Sequence, residues 1–247
     1  MNPPTPVVFL HAFPFDGTMW DGQVAALTGR TVLTPSFPGF GGRAPDEPSL
    51  DRFAEVVVGD MQAAGIESAV LVGLSMGGYV AFRIQVKWPT KVAALVLADT
   101  KAGADDEAGR KKRTQQADRV RAEGIGWLAE ALIPALLGET TRRERPHVVD
   151  AVRAKIAAAN PEGVARALLA MRDRPDSTQE LAGIRIPVLA LVGEEDGLTP
   201  PAEARRIAEG VPHGRLVVIP GVGHLSNFEN PEAFNEAIAS LLNRRVV

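Results

Sequence analysis

The chain has 247 residues, 45% of them hydrophobic and 23% charged, and its formal net charge is −3. These values exclude a largely disordered chain and suit one globular core with an appendage, and the charge balance recruits neither nucleic acid nor an anionic membrane. The absence of cysteine excludes disulfide frameworks, thiolate metal sites and a cysteine nucleophile; neither a metal nor another cofactor is expected.

No basic segment precedes the short apolar run Val7–Leu10, and no stretch reaches the roughly 18 apolar residues of a membrane span, so a cytoplasmic location is expected. Val7–Leu10 reads as a first buried strand and Thr31–Leu33 as a second. A Pro- and Gly-rich turn, Pro35–Gly42, follows. Leu50, Phe53, Val57, Met61 and Ala64 then fall at helical spacing, with Ser49 as a candidate cap. Ala69–Val72 is a third strand, leading into a helix from about Met76 that Pro89 stops. Val92–Ala98 is a fourth strand, Val188–Val192 a fifth and Leu216–Ile219 a sixth. A helix opened by Pro200 and Pro201 lies between the last two, and a final helix runs from about Pro231 to Arg244.

Near-continuous apolar strands separated by helices imply a parallel sheet covered on both faces. Right-handed crossovers bring all the strand C-terminal ends to one edge, where ligands bind. Residues 100–186 break the alternation: they carry no strand-like run and are Ala-, Arg- and Leu-rich at helical spacing. The expected division is a core of residues 1–99 and 187–247 with a helical cap of 100–186. The basic run Arg110–Arg113 follows acidic Asp105–Glu107 and reads as a solvated helix face.

Gly73-Leu74-Ser75-Met76-Gly77 matches G-x-S-x-G between a strand and a helix, the context a nucleophile elbow requires. Ser75 is thrust above the sheet edge, and the Met76 amide, at a helix N-terminus, is unpaired and available to negative charge. A serine needs a base held by a third group. Of the four histidines, His213 precedes a strand and lies at the wrong edge, and His147 sits in a charged stretch. His11 follows the first strand but comes before the nucleophile. His224 follows the sixth strand in a Gly-flanked loop and is the expected base. Asp196, after the fifth strand, is the expected acid, with Glu194, Glu195 and Asp99 as alternatives. The order Ser75, Asp196, His224 is the one found in α/β-hydrolases.

With His11-Ala12-Phe13-Pro14, Pro38-Gly39-Phe40-Gly41, the elbow, the Asp196 loop and Gly223-His224, the chain resembles the α/β-hydrolase superfamily over nearly its whole length. It is most similar to small carboxylesterases and 3-oxoadipate enol-lactonase-like members. The resemblance implies an α/β-hydrolase fold of about six mostly parallel strands, with a helical cap inserted after the fourth. It also implies that the Phe13 amide joins that of Met76 as the oxyanion hole. Three departures stand out. Ala12 replaces the usual glycine and Ser36 a common aspartate. Only Met1–Pro6 precede the first strand, so the family's N-terminal antiparallel hairpin is expected to be missing and a homodimer becomes possible.

The expected activity is hydrolysis of small carboxylic esters through an acyl-enzyme. Enol-lactone hydrolysis is the alternative, and a weakly catalytic ligand-binding protein is the alternative of another class. Phe15, Trp20, Trp127, Leu136, Leu137 and Met171 are the candidate pocket residues. An anionic lactone would need a cap cation, for which Arg110–Arg113, Arg119, Arg121, Arg142 and Arg143 are candidates.

Overall fold

The computed structural model describes residues 4–243. Six strands form one sheet: β1 (Val7–Leu10), β2 (Val32–Leu33), β3 (Ala69–Leu74), β4 (Val92–Ala98), β5 (Val188–Gly193) and β6 (Gly214–Ile219). Their spatial order is β2-β1-β3-β4-β5-β6, and every pairing is parallel. Every residue of β1, β3 and β5 is buried, which is why these runs are apolar without alternation. Fully burying a Val or Leu side chain contributes about 1.5–3 kcal/mol.

The crossovers supply α1 (Asp21–Ala26), α2 (Leu50–Ala63) and α3 (Met76–Lys87). Ser49 caps α2, its hydroxyl accepting from the Arg52 N–H. Between β4 and β5 come α4 (Glu107–Glu123), α5 (Leu128–Leu136), α6 (Glu139–Glu144), α7 (Pro146–Ala157) and α8 (Pro161–Arg172). The last elements are α9 (Pro201–Gly210), α10 (Ser226–Glu229) and α11 (Pro231–Leu242); Arg244, the expected helix end, lies outside the described residues. No described helix is long and apolar enough to cross a membrane.

The chain runs outward from β1 to β2, returns to β3 and then proceeds the other way. The strand order therefore reverses between β1 and β3, and a crevice opens beyond their C-terminal ends. The segments on either side of that crevice begin at His11 and Ser75. Trp20 does not reach it. Its ring is wholly buried against Phe9 and Phe234, with centroids 4.8 and 5.9 Å away, so this pocket candidate belongs to the core.

Candidate active site

Ser75 joins β3 to α3 with φ 54° and ψ −113°, a left-handed conformation for a side chain that is not glycine. Such a backbone costs roughly 1–3 kcal/mol and persists only where its surroundings hold it. Two glycines make the turn possible. A Cβ on Gly73 would lie 2.4 Å from the Gly77 carbonyl oxygen, and one on Gly77 would lie 2.0 Å from that of Leu10. Strand and helix approach closely enough to hold the serine up. Its N–H donates to the Ala98 carbonyl at 2.9 Å, and its own carbonyl accepts from the Thr100 hydroxyl at 2.9 Å.

The loop after β6 brings His224 Nε2 to 2.8 Å from Ser75 Oγ. His224 Nδ1 lies 2.8 Å from Asp196 Oδ2, in the turn after β5. Burial opposes charge on the imidazole, but the charge and hydrogen bond of Asp196 outweigh it, so the His224 pKa is raised above 6.5. Burial likewise opposes ionisation of Asp196, yet His224 and the Thr199 bonds hold its carboxyl below the usual range. With Asp196 ionised, Nδ1 carries the proton it donates there, and Nε2 is left to accept from the serine hydroxyl.

Asp196 is held in a tight turn. Its Oδ1 accepts from the Leu198 and Thr199 N–H groups at 2.8 and 3.0 Å, and Oδ2 accepts from the Thr199 hydroxyl at 2.7 Å. The competing acids are engaged elsewhere. Glu194 accepts from Gly221 N–H, Glu195 from Thr140, and Asp99 from Gly193 N–H. The His224 loop is braced by Glu229, buried on α10, whose carboxylate accepts from the Gly138, Gly223 and Leu225 N–H groups. Thr100, Thr199 and Glu229 are absent from the sequence-derived set. The Asp-x-x-Thr spacing was a legible turn signal for Thr199, whereas nothing local marks Glu229.

The Phe13 and Met76 amides make no hydrogen bond to protein acceptors among the described residues. Ala12 avoids the left-handed region, since only Ser75 and Asp99 have positive φ among described non-glycine residues. Ser36 does hold the neighbouring loop, its hydroxyl accepting from the Gly17 N–H at 3.1 Å.

A cavity of about 230 Å³ opens over Ser75 and His224. It is small beside the ~300–1,000 Å³ usual for ligand pockets. Phe13, Leu132, Leu136, Leu168 and Met171 form apolar wall, and Leu198, 45% exposed, stands at the rim. Lys101, Asp105, Lys112, Arg113 and Gln116 supply polar wall. Of the candidate pocket residues, Leu136 and Met171 line this cavity. Leu137 is buried behind the wall. Phe15 turns away to pack on Phe228, its centroid 5.9 Å distant, beside a separate groove. Trp127 lies under the Arg119 guanidinium, 4.0 Å from the ring centroid, and its indole N–H donates to Gly124 O. Of the cationic candidates, Lys112 and Arg113 reach the wall, Arg142 donates to the Leu137 carbonyl, and Arg110, Arg119, Arg121 and Arg143 pair with Asp173, Glu123, Glu162 and Glu144.

Residues 7–237 match the model of the alpha/beta hydrolase family. The 3-oxoadipate enol-lactonase 2 of Acinetobacter baylyi is 25% identical over 96% of this chain and 88% of its own. The pimeloyl-[acyl-carrier protein] methyl ester esterase of Aromatoleum aromaticum is 28% identical over 94% of this chain and 95% of its own. Among solved structures, a thermophilic esterase from Thermogutta terrifontis, studied with malate bound, is 40% identical. It superposes with a TM-score of 0.93, over 98% of this chain and 90% of the esterase. An enol-lactonase from Burkholderia xenovorans is 28% identical with a TM-score of 0.90, over 99% and 93% of the two chains. A parallel sheet with its elbow at the strand-order reversal, and relatives that are esterases and enol-lactonases, lead to one assignment: the chain belongs to the alpha/beta hydrolase family.

Proposed function

We propose that the protein is a serine carboxylesterase acting on small esters through an acyl-enzyme. The observation that carries this reading is the hydrogen-bonded chain Ser75 Oγ–His224 Nε2 and His224 Nδ1–Asp196, 2.8 Å at each link, in the lining of a cavity. His224 takes the Ser75 proton as Oγ bonds to the ester carbonyl carbon. The oxyanion that forms is held by the Phe13 and Met76 N–H groups. Collapse breaks the ester C–O bond, and the alcohol leaves with the proton from His224. Water then attacks the acyl group with His224 again as base, which frees the acid and restores Ser75. Asp196 keeps the imidazole in the required tautomer and stabilises its cation. The helices from α4 to α8 act as the cap, and the cavity volume limits the substrate to a small acyl and alcohol part.

Turnover of a short p-nitrophenyl ester tests the reading. Ser75→Ala should lower kcat by at least about a thousandfold with residual activity left by the oxyanion amides. Equal, slow turnover by both proteins would instead favour a ligand-binding role. A second reading is lactone hydrolysis, favoured by the Lys101, Lys112 and Arg113 side chains on the cavity wall against a single carboxylate, Asp105. A strong preference for a carboxylate-bearing enol-lactone over neutral esters of similar size would overturn the carboxylesterase assignment in its favour.

A further inference from the structure

Beneath the hydrogen-bonded chain of Ser75, His224 and Asp196 lies a second carboxyl group, that of Asp99. It directly follows β4, is wholly buried and has φ 45°. The three residues around it touch the supports of all three members of the chain. The Ala98 carbonyl accepts from Ser75 N–H and the Thr100 hydroxyl donates to Ser75 O, each at 2.9 Å. The Asp99 N–H donates to Leu191 O at 2.8 Å, and its Oδ1 accepts from Gly193 N–H at 2.9 Å. Gly193 in turn accepts from the Asp196 N–H at 3.2 Å. Asp99 Oδ2 meets the hydroxyl of Ser226, two residues beyond His224.

We infer that Asp99 is a positioning residue that keeps its proton: its neutral carboxyl group ties the end of β5 to the His224 loop and so holds the imidazole against Ser75. This rests on the serine-hydrolase reading of the site. No Lys or Arg pairs with Asp99 among the described salt bridges. The ionisable groups around it are Glu194, Glu195 and Asp196 in the turn after β5, His224 and Glu229 in the stretch after β6, and Lys101, two residues on, which turns to Asp105. Four of these are carboxylates, with Glu194 and Glu195 engaged by Gly221 and Thr140, and the imidazole is already committed to Asp196. Burial, and then the Asp196 charge, push the Asp99 carboxyl well above the usual range, while His224 and the two hydrogen bonds pull less strongly the other way. A charged Asp99 would also compete with Asp196 for the imidazolium. A neutral one fixes the loop without doing so.

An unfolded chain releases this proton above the ordinary value of 3.8, whereas the folded chain keeps it. At this group the native state thus binds more protons, and the Asp99 contribution to stability falls as pH rises from about 4. Asparagine has no such proton to keep yet preserves the two contacts. In the full-length protein, Asp99→Asn should therefore melt no lower than wild type at pH 7, with the difference closing as pH falls towards about 4. Its kcat on a short p-nitrophenyl ester should stay within about threefold, with the acid limb of the pH profile unmoved. Asp99→Ala and Ser226→Ala should each lower kcat by roughly ten- to a hundredfold with little change in KM, because the loop loses its tether. Ser226→Ala carries that arm if Asp99→Ala does not fold. The inference is overturned if Asp99→Asn melts lower at pH 7 and shifts the acid limb downward, the mark of an ionised carboxylate lost beside His224. It is equally overturned if Ser226→Ala and the folded Asp99 variants all turn over like wild type. Should wild type itself fail to hydrolyse esters, the serine-hydrolase reading falls, while the stability measurements still report the Asp99 proton.

Discussion

Two histidines stand on the same edge of the sheet, and their surroundings drive them in opposite directions. His224, beside Asp196, is raised above 6.5. His11 is wholly buried between Phe37 and Phe40, with centroids 4.2 and 5.2 Å away, and burial lowers it to about 4. Its Nε2 accepts from the Phe37 N–H at 2.9 Å and its Nδ1 donates to Ala12 O at 3.0 Å, so the neutral ring is fully used in fixing the loop ahead of Phe13. An unfolded chain takes up this proton near 6.5 and the folded chain only near 4. At this site the unfolded state then binds more protons in that window, and acidification from pH 6.5 to 4 should remove about 3 kcal/mol of stability through His11 alone. Urea titrations of wild type and His11→Gln across that range check this, and parallel slopes for the two proteins would refute it. Strand-end position and residue type brought Ser75, Asp196 and His224 forward from the sequence, since each depends on local signals around a strand. They could not tell Trp20 from Met171, because an aromatic and a thioether look equally suited to a wall until the packing partner is known. Trp20 finds Phe9 and Phe234 in the core instead.

The insertion is legible as helical because no strand-like run interrupts residues 100–186, and α4 to α8 fill it. Which faces turn inward was hidden. Helix α4 buries only Ala117 and Val120, so its charged sequence carries almost no apolar stripe to orient it. It is nonetheless packed along α8. Helix α8 meets the core through a contact between two glycines: a Cβ on Gly163 would lie 2.1 Å from the Gly39 carbonyl oxygen. Overpacking at such a backbone contact typically costs 1–3 kcal/mol, so Gly163→Ala should be destabilised by about 2 kcal/mol in denaturant unfolding. An unchanged midpoint would mean that α8 moves off the core without cost.

Across the whole molecule, the insertion leaves and rejoins the core at one place. The Ser177 N–H donates to Ala102 O at 2.9 Å, and Arg174, 2% exposed, pairs with Asp105 at 2.8 Å. Arg113 binds the same carboxylate, and the Arg174 guanidinium lies 4.3 Å from the Tyr79 ring centroid on α3. Burial alone would raise the Asp105 carboxyl, but the two arginines hold it well below the usual range. Breaking a buried pair from one side costs 3–5 kcal/mol, and Arg113 remains for Asp105, so Arg174→Met should lose about 3 kcal/mol. Thermal unfolding measures it, and a melting temperature equal to wild type would show the clasp to be dispensable. The alternation of strands and helices made the sheet readable in advance. This clasp was not, because its partners are some seventy positions apart and each looks like an ordinary surface charge. Two ends that meet also make the block between them a natural cassette. Exchange of everything from Ala102 to Ser177 would leave the threading of the sheet untouched, provided the incoming block again offers an N–H where Gly138 donates to Glu229 and a carbonyl where Leu136 accepts from Leu225. Under the proposed function, one contiguous stretch of gene would then reshape the cavity wall while β3 and the loops after β5 and β6 still carried Ser75, Asp196 and His224.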